Sequence, residues 1–405
     1  MPEHVHILGG YQTDFARNVT KEGGDLSTLT DEVVTGTLAE AGVTADDIEV
    51  IHVGNAFGQV YTGQGHLGAM PATMHPELWG VPASRHEGAC ASGSLAILAA
   101  MSDLESGRYD CALVIGVELE KNVPGDVGAK NMAGAGWLGH DGEGATFLWP
   151  HTFSRVAEEY DDRFGLDPKH LWAIAELNIR NARTNPRAQT RGWSHDDASF
   201  TDDPGANPVV EGRMHKADCG PLTDGGAGVV LVSDRWLAAH PEHATARSSI
   251  RGWGHRTAGL ALEEKLAKSA GDGLVFPHVS ETIGDAFNRA GIASVDDLDL
   301  IETHDCFTST EYVAIDHFGL TEPGQSWKAV ESGELEIGGR VAMNPSGGLI
   351  GGGHPVGATG VRMLLDCHRQ VTKAADGYQV PDAATAATLN IGGSMTTVVS
   401  FVVGV

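Results

Sequence analysis

Apolar positions along this chain come in two kinds of run. Short ones, such as Leu298-Asp299-Leu300-Ile301 and Gly228-Val229-Val230-Leu231-Val232-Ser233, have the length of strands. Leu95-Ala96-Ile97-Leu98-Ala99-Ala100-Met101 is too long and too alanine-rich for a strand, and it predicts a buried helix ending at Gly107. Val361-Arg362-Met363-Leu364-Leu365 opens a second helix.

The pattern occurs twice. Ala41-Gly42-Val43-Thr44-Ala45-Asp46-Asp47-Ile48-Glu49-Val50-Ile51 matches Ala290-Gly291-Ile292-Ala293-Ser294-Val295-Asp296-Asp297-Leu298-Asp299-Leu300-Ile301: a helix ends at Ala-Gly and an acidic turn feeds a strand. Cys111-Ala112-Leu113-Val114-Ile115-Gly116 then matches Ala387-Thr388-Leu389-Asn390-Ile391-Gly392, and the run 228–233 matches 396–401. Strands alternating with helices mean parallel-rich sheets covered by helices. Residues 119–222 have no counterpart in the second copy and are richer in charge, glycine and turn residues, so they read as an inserted subdomain. The expected division is a first half of 1–118 and 223–272, an insertion of 119–222, and a second half of 273–405.

Composition narrows the function. The chain has 405 residues, 41% of them hydrophobic, enough for a large core and two or three domains. A formal charge of -27 argues against nucleic acid or an anionic membrane as partner. The five cysteines form no close pair, which points away from a disulfide framework or structural zinc. The start carries no basic region, no run reaches the roughly 18 apolar residues of a membrane span, and the end is not a Ser-Lys-Leu address. The expected location is the cytoplasm.

Three segments carry chemistry. In Glu87-Gly88-Ala89-Cys90-Ala91-Ser92-Gly93-Ser94, small residues surround one thiol at the start of the first long helix. Unpaired N–H groups and the helix dipole there favour thiolate, although a buried cysteine can also be inert packing. The glycine-rich loop Asn344–Gly360 has His354 at its centre and leads into the second helix. It lacks lysine, so it is not a phosphate-binding P-loop. Glu302-Thr303-His304-Asp305-Cys306-Phe307 ends a strand, where α/β sites are built.

Together these segments resemble the thiolase family over nearly the whole chain. The Cys90 segment resembles the nucleophile motif, and Gly353-His354-Pro355-Val356-Gly357-Ala358-Thr359-Gly360 the Gly-His-Pro motif. His304-Asp305-Cys306-Phe307 is similar to the motif of sterol-carrier-protein type thiolases and of bacterial and archaeal acetyl-CoA acetyltransferases. Where standard thiolases carry a C-terminal Cys-x-Gly, this chain has Asn390-Ile391-Gly392.

The resemblance implies an α/β thiolase fold of two βαβαβαββ halves in α-β-α-β-α layers, with an inserted loop subdomain. It implies Claisen condensation or thiolysis of coenzyme A thioesters through an acyl-Cys90 intermediate. His354 would take the thiol proton, Cys306 would act as second acid/base, and His304 would help hold the enolate oxygen. The N–H groups of Cys90 and Gly392 would form an oxyanion hole. Asn344 would orient water or His354, or simply form a turn.

Arg180, Arg183, Arg187 and Arg191 read either as a solvated face or as contacts to coenzyme A phosphates. Cys111, Cys219 and Cys367 are assigned to packing. No permanently bound cofactor or metal is expected, with coenzyme A as substrate and product and a homodimer or homotetramer as the assembly. The alternatives are another condensing acyltransferase of this superfamily, or a lyase or scaffold acting with a small partner protein. Retention of Cys90, His354 and Cys306 together argues against the latter. The second sheet repeat runs to Val405, so no appended lipid-carrier domain is expected.

Overall fold

The computed structural model describes residues 4–243 and 247–405. One continuous sheet contains β1 (Val5–Gln12), β2 (Val50–Gly54), β3 (Ala83–His86), β4 (Cys111–Glu118), β5 (Gly225–Ser233), β6 (Ser248–Thr257), β7 (Leu300–Thr303), β8 (Ala342–Met343), β9 (Thr385–Gly392) and β10 (Thr397–Gly404). Their spatial order is β8-β7-β9-β10-β6-β1-β5-β4-β2-β3. Outward from the β6–β1 seam both halves follow one plan. β1, β5 and β4 run antiparallel and are followed by parallel β2 and β3. Likewise β6, β10 and β9 run antiparallel and are followed by parallel β7 and β8.

The helices that frame the site are α1 (Leu26–Ala41), α2 (Ser92–Glu105), α3 (Leu148–Phe164), α4 (Pro168–Ala182), α5 (Pro277–Ala290), α6 (Thr308–His317) and α7 (Thr359–Val371). The paired helices α2 and α7 form the middle layer, with α7 touching β9 and β10 as well as β5 and β1. On the outer faces, α1 covers β1 and β5 while α5 covers β6 and β10. The expected α-β-α-β-α order is therefore present.

The sequence repeat is also a repeat of local geometry. Gly42 and Gly291 end α1 and α5 in the left-handed region, at φ 69° and 71°, a conformation that glycine adopts without a Cβ clash. A capping box follows each, Thr44 with Asp47 and Ser294 with Asp297, and then a strand.

The expected boundary at 273 falls too late. β6 pairs with β10 from Ser249 to Thr257, but with β1 only through Val5–Ile7. It holds in the second half the place that β1 holds in the first, so that half starts ahead of Ser248. The strand was hard to read because its alternate residues, including Arg251 and His255, face outward.

The insertion does not stand apart. Phe153, Val156 and Tyr160 of α3 and Leu171 and Ile174 of α4 share one apolar cluster with Tyr312 of α6. The Tyr160 hydroxyl donates to Asp316 at 2.9 Å. A segment that leaves the first half thus packs over the second and roofs the junction between them.

Candidate active site

Cys90 is carried by a tight turn ahead of α2. The N–H of Ala91 bonds the Gly88 carbonyl and that of Ser92 the Ala89 carbonyl, both at 3.1 Å. Ala89 is held at φ 53°, a left-handed conformation that costs free energy in a residue with a Cβ. The turn lifts Cys90 into a cavity. Close contact between the helix starts brings the second half to it, and a Cβ on Gly93 would stand 2.9 Å from the Gly357 carbonyl oxygen.

That contact places His354 beside the thiol. Ring nitrogens of His304 and His354 and the Cys90 sulfur all lie within 4.8 Å of one another. The two imidazoles meet edge to face, with centroids 5.2 Å apart at 85°. His354 Nδ1 is 2.7 Å from Thr359 Oγ1, whose hydroxyl donates to the Pro355 carbonyl at 3.0 Å. That single hydroxyl proton is committed, so Nδ1 carries the imidazole proton and Nε2 offers a lone pair. Nε2 is buried without a hydrogen-bond partner, which suits a base aimed at the thiol.

Cys306 opens from the end of β7 into the same cavity, its sulfur 3.9 Å from Thr310 Oγ1. The cavity has a volume of about 280 Å³ and is lined mainly by apolar groups, among them Phe57, Met132, Phe147, Trp149 and Leu222. Phe153 and Phe307 stack across part of its wall with centroids 4.6 Å apart. Among the described residues no lysine or arginine lines it.

Burial sets the protonation states. It pushes the Cys90 thiol up to about 12, reinforced by Glu120 and Glu118 and opposed by the N–H groups of Gly393 and Cys90. Burial and Arg362 push His354 down to about 3. His304 is lowered by burial and by His354, while Cys306 is raised by burial and by Cys90. Loss of solvent and the two nearby acids thus oppose the thiolate that the helix start favours. The resting site is two thiols and two neutral imidazoles.

Other expected residues fall elsewhere. Asn344 does not reach His354. Its Oδ1 accepts from the Thr303 N–H at 2.8 Å and its Nδ2 donates to Glu311 at 2.7 Å, which makes it a turn residue at φ 49°. The N–H aimed at the Cys90 sulfur is that of Gly393, one residue beyond Gly392. Gly392 instead packs against the Gly88 carbonyl and Ala91.

None of the four arginines lines the cavity. Arg191 pairs bidentately with Asp14 at 2.7 and 2.8 Å, and Arg187 donates to the Gln12 carbonyl at 2.7 Å and covers the Tyr11 ring. Arg180 pairs with Glu336 at 3.0 Å, and Arg183 lies near His195. Cys219, assigned to packing, lines the cavity, whereas Cys111 and Cys367 are fully buried.

Several residues that shape the site escaped the sequence. Glu118 accepts from the N–H groups of Ala56, Phe57 and Gly357, and Glu120 from that of Val356, so two buried carboxylates at the end of β4 tie down the His354 loop. Their signal was two acids closing an otherwise apolar strand. Lys265 donates to the Gly259 and Leu260 carbonyls, Ser394 and Thr396 within 3.1 Å, fixing the chain just after Gly393. No local pattern announces that contact.

The duplicated fold and its thiol–imidazole centre define an acyl-transfer enzyme. The thiolase N-terminal domain profile matches residues 5–190 and the thiolase C-terminal domain-like profile matches 262–405. Acetyl-CoA acetyltransferase of Methanothermobacter thermautotrophicus is 30% identical over 397 residues, covering 96% of each chain. Human sterol carrier protein 2 is 27% identical over 96% of this chain and 70% of its own length. The chain belongs to the thiolase family. Two solved structures share its fold: an aldolase complex, Ltp2-ChsH2(DUF35), with TM-score 0.77 and 20% identity over 99% of this chain and 97% of that one, and acetyl-CoA acetyltransferase from Syntrophomonas wolfei, with TM-score 0.71 and 17% identity over the full length of both. Among the described residues no helix is long and apolar enough to cross a membrane.

Proposed function

We propose that this chain condenses or cleaves coenzyme A thioesters through an acyl group carried on Cys90. The observation that supports this best is the bare His354 Nε2 beside the Cys90 thiol, with Cys306 in the same cavity. In the cleavage direction His354 Nε2 accepts the Cys90 proton as the sulfur attacks the 3-keto carbon. Carbon–carbon cleavage releases an enolate, which takes the proton of the Cys306 thiol. The resulting Cys306 thiolate then takes the proton of incoming coenzyme A, whose sulfur attacks the acyl-Cys90 carbonyl. Cys90 leaves as thiolate and recovers its proton from His354. Each group returns to its resting form, and a Cys306 that rests as thiol is the form the first half needs.

The N–H groups of Cys90 and Gly393 supply the oxyanion contacts of acyl transfer, and His304 those of the enolate. No resident cofactor enters these steps. Free cysteines and an acidic surface fit a cytoplasmic enzyme. The open edge of β3, with Ala83 and Ser84 exposed, fits pairing with a second copy. Incubation with acyl-CoA followed by peptide mass spectrometry should place the acyl group on Cys90. Acylation of Cys306 with none on Cys90 would overturn the assignment.

A second reading is a carbon–carbon lyase that works with a partner protein. It is favoured by a cavity without cations for the coenzyme A phosphates and by the partnered aldolase that shares the fold. Such a lyase would cleave without free coenzyme A, whereas thiolysis consumes it stoichiometrically.

A further inference from the structure

Asn390 is joined to three elements of the site at once. Its Nδ2 donates to the Cys90 carbonyl at 3.1 Å and lies 3.3 Å from His304 Nδ1. Its Oδ1 accepts from the Ser94 hydroxyl at 2.8 Å. The amide is fully buried at the end of β9. Gly360 leaves it room, since a Cβ there would stand 2.6 Å from Oδ1.

These bonds fix which way the amide faces. A backbone carbonyl only accepts, so the group facing the Cys90 carbonyl must be the NH₂. The second hydrogen of that NH₂ points to His304 Nδ1, which must therefore be an acceptor. A neutral imidazole has one N–H, and with Nδ1 accepting, the proton sits on Nε2. His354 reaches the opposite assignment of roles through Thr359: its Nδ1 carries the proton and its Nε2 is bare. Two histidines with centroids 5.2 Å apart thus present one donor and one base.

We propose that Asn390 is the positioning residue that holds His304 in its Nε2–H tautomer and so makes it a hydrogen-bond donor to the substrate oxygen. The other tautomer would turn a lone pair toward a developing enolate and repel it. Asparagine is well suited to this position. One NH₂ bridges the nucleophile's own carbonyl and the second histidine, which the single weak donor of a thiol cannot do. Burial keeps His304 neutral, so its tautomer decides whether it donates.

The role rests on the thiolase reading of the site, and the test separates the two. The tautomer is read on the wild-type protein by nitrogen-15 NMR of histidine-labelled chain, with the His304 signals identified by their loss in His304→Gln. Pyridine-like Nδ1 and pyrrole-like Nε2 are expected, and a pyrrole-like Nδ1 overturns the proposal whatever the enzyme does. In Asn390→Ala, His304 should show mixed tautomers. Exchange of the acetyl-CoA α-protons with deuterated solvent should then fall about 10–100-fold, the scale of losing part of one oxyanion donor. Acylation of Cys90 should change less than about 3-fold, because that step uses His354, Cys306 and backbone N–H groups and not the His304 N–H. Unchanged exchange with a scrambled tautomer overturns the catalytic consequence. Absence of Cys90 acylation in the wild type would instead sink the thiolase reading while leaving the tautomer result standing.

Discussion

His354 Nδ1 lies 2.7 Å from Thr359 Oγ1, and the same hydroxyl donates to the carbonyl of Pro355, the residue after His354. One threonine on the first turn of α7 therefore sets both the ring orientation and the lone pair that faces Cys90. Thr359→Val keeps the shape and removes the acceptor. Its kcat for thiolysis should fall about tenfold or more, within the range that general-base help supplies, and Thr359→Ser should restore most of it. Steady-state kinetics of both variants checks this; equal rates for valine and threonine would show that the hydroxyl orients nothing.

A thiol raised to about 12 beside an imidazole lowered to about 3 leaves both groups neutral across the physiological range. A raised thiol pKa means that the thiolate fraction keeps growing as pH rises, about tenfold per unit, until that value is reached. Inactivation of the free enzyme by iodoacetamide should accordingly climb from pH 6 to pH 10 without levelling near neutrality. A plateau between pH 6 and 8 would reveal a stored thiolate–imidazolium pair.

Cys306→Ala should still accept an acyl group on Cys90, though more slowly, because in that step the Cys306 proton only assists the departure of coenzyme A thiolate, itself a good leaving group, while His354 takes the Cys90 proton. Condensation and thiolysis should drop about 10²–10⁴-fold, the usual scale of general acid–base catalysis. Mass spectrometry of the acyl-enzyme and a coenzyme A release assay on the same preparation separate the two effects. Near-normal thiolysis would remove Cys306 from the proton path.

Arg191 is committed to Asp14 through two bonds of 2.7 and 2.8 Å. Arg191→Ala should lower stability by about 1 kcal/mol, since the pair is partly exposed, and leave KM for coenzyme A within about 2-fold. Urea unfolding and saturation kinetics give both numbers. A KM raised tenfold at unchanged stability would return this arginine to the coenzyme A phosphates.

Gly392 faces the Gly88 carbonyl and the Ala91 side chain, with no room for a Cβ. Gly392→Ala should push the Cys90 turn away from the β9 terminus. A cost of about 1–3 kcal/mol in stability is expected from overpacking, together with loss of acylation. A variant that unfolds and acylates like the wild type would show that the turn has slack.

Much of the architecture was legible before any coordinate. The repeat of Ala41–Ile51 in Ala290–Ile301 reflects local physics: a glycine at a left-handed cap, a serine or threonine capping box, and an apolar strand. Each is decided by neighbours in the chain, so each leaves a mark in the sequence. Cys90, His304, Cys306 and His354 were legible for a related reason, because each stands in a motif whose small or glycine neighbours have a local purpose. β6 leaves no clear mark in the sequence because its outward residues, Arg251 and His255 among them, interrupt the apolar run.

The sequence alone thus determined a duplicated α/β chain with a thiol and a histidine at two equivalent helix starts. Only the tertiary structure decided the state in which those groups wait. The high pKa of Cys90 comes first from burial in a cavity that Leu148, Trp149 and Phe153 of α3 help to close, and then from Glu120 and Glu118 at the end of β4. The tautomer of His304 is set by an amide 86 positions away in the chain, and the chain after Gly393 is held by Lys265, more than a hundred positions away. Protonation and hydrogen-bond direction depend on solvent exclusion and on partners that chain order does not make adjacent, so they arise only when the two halves close on each other.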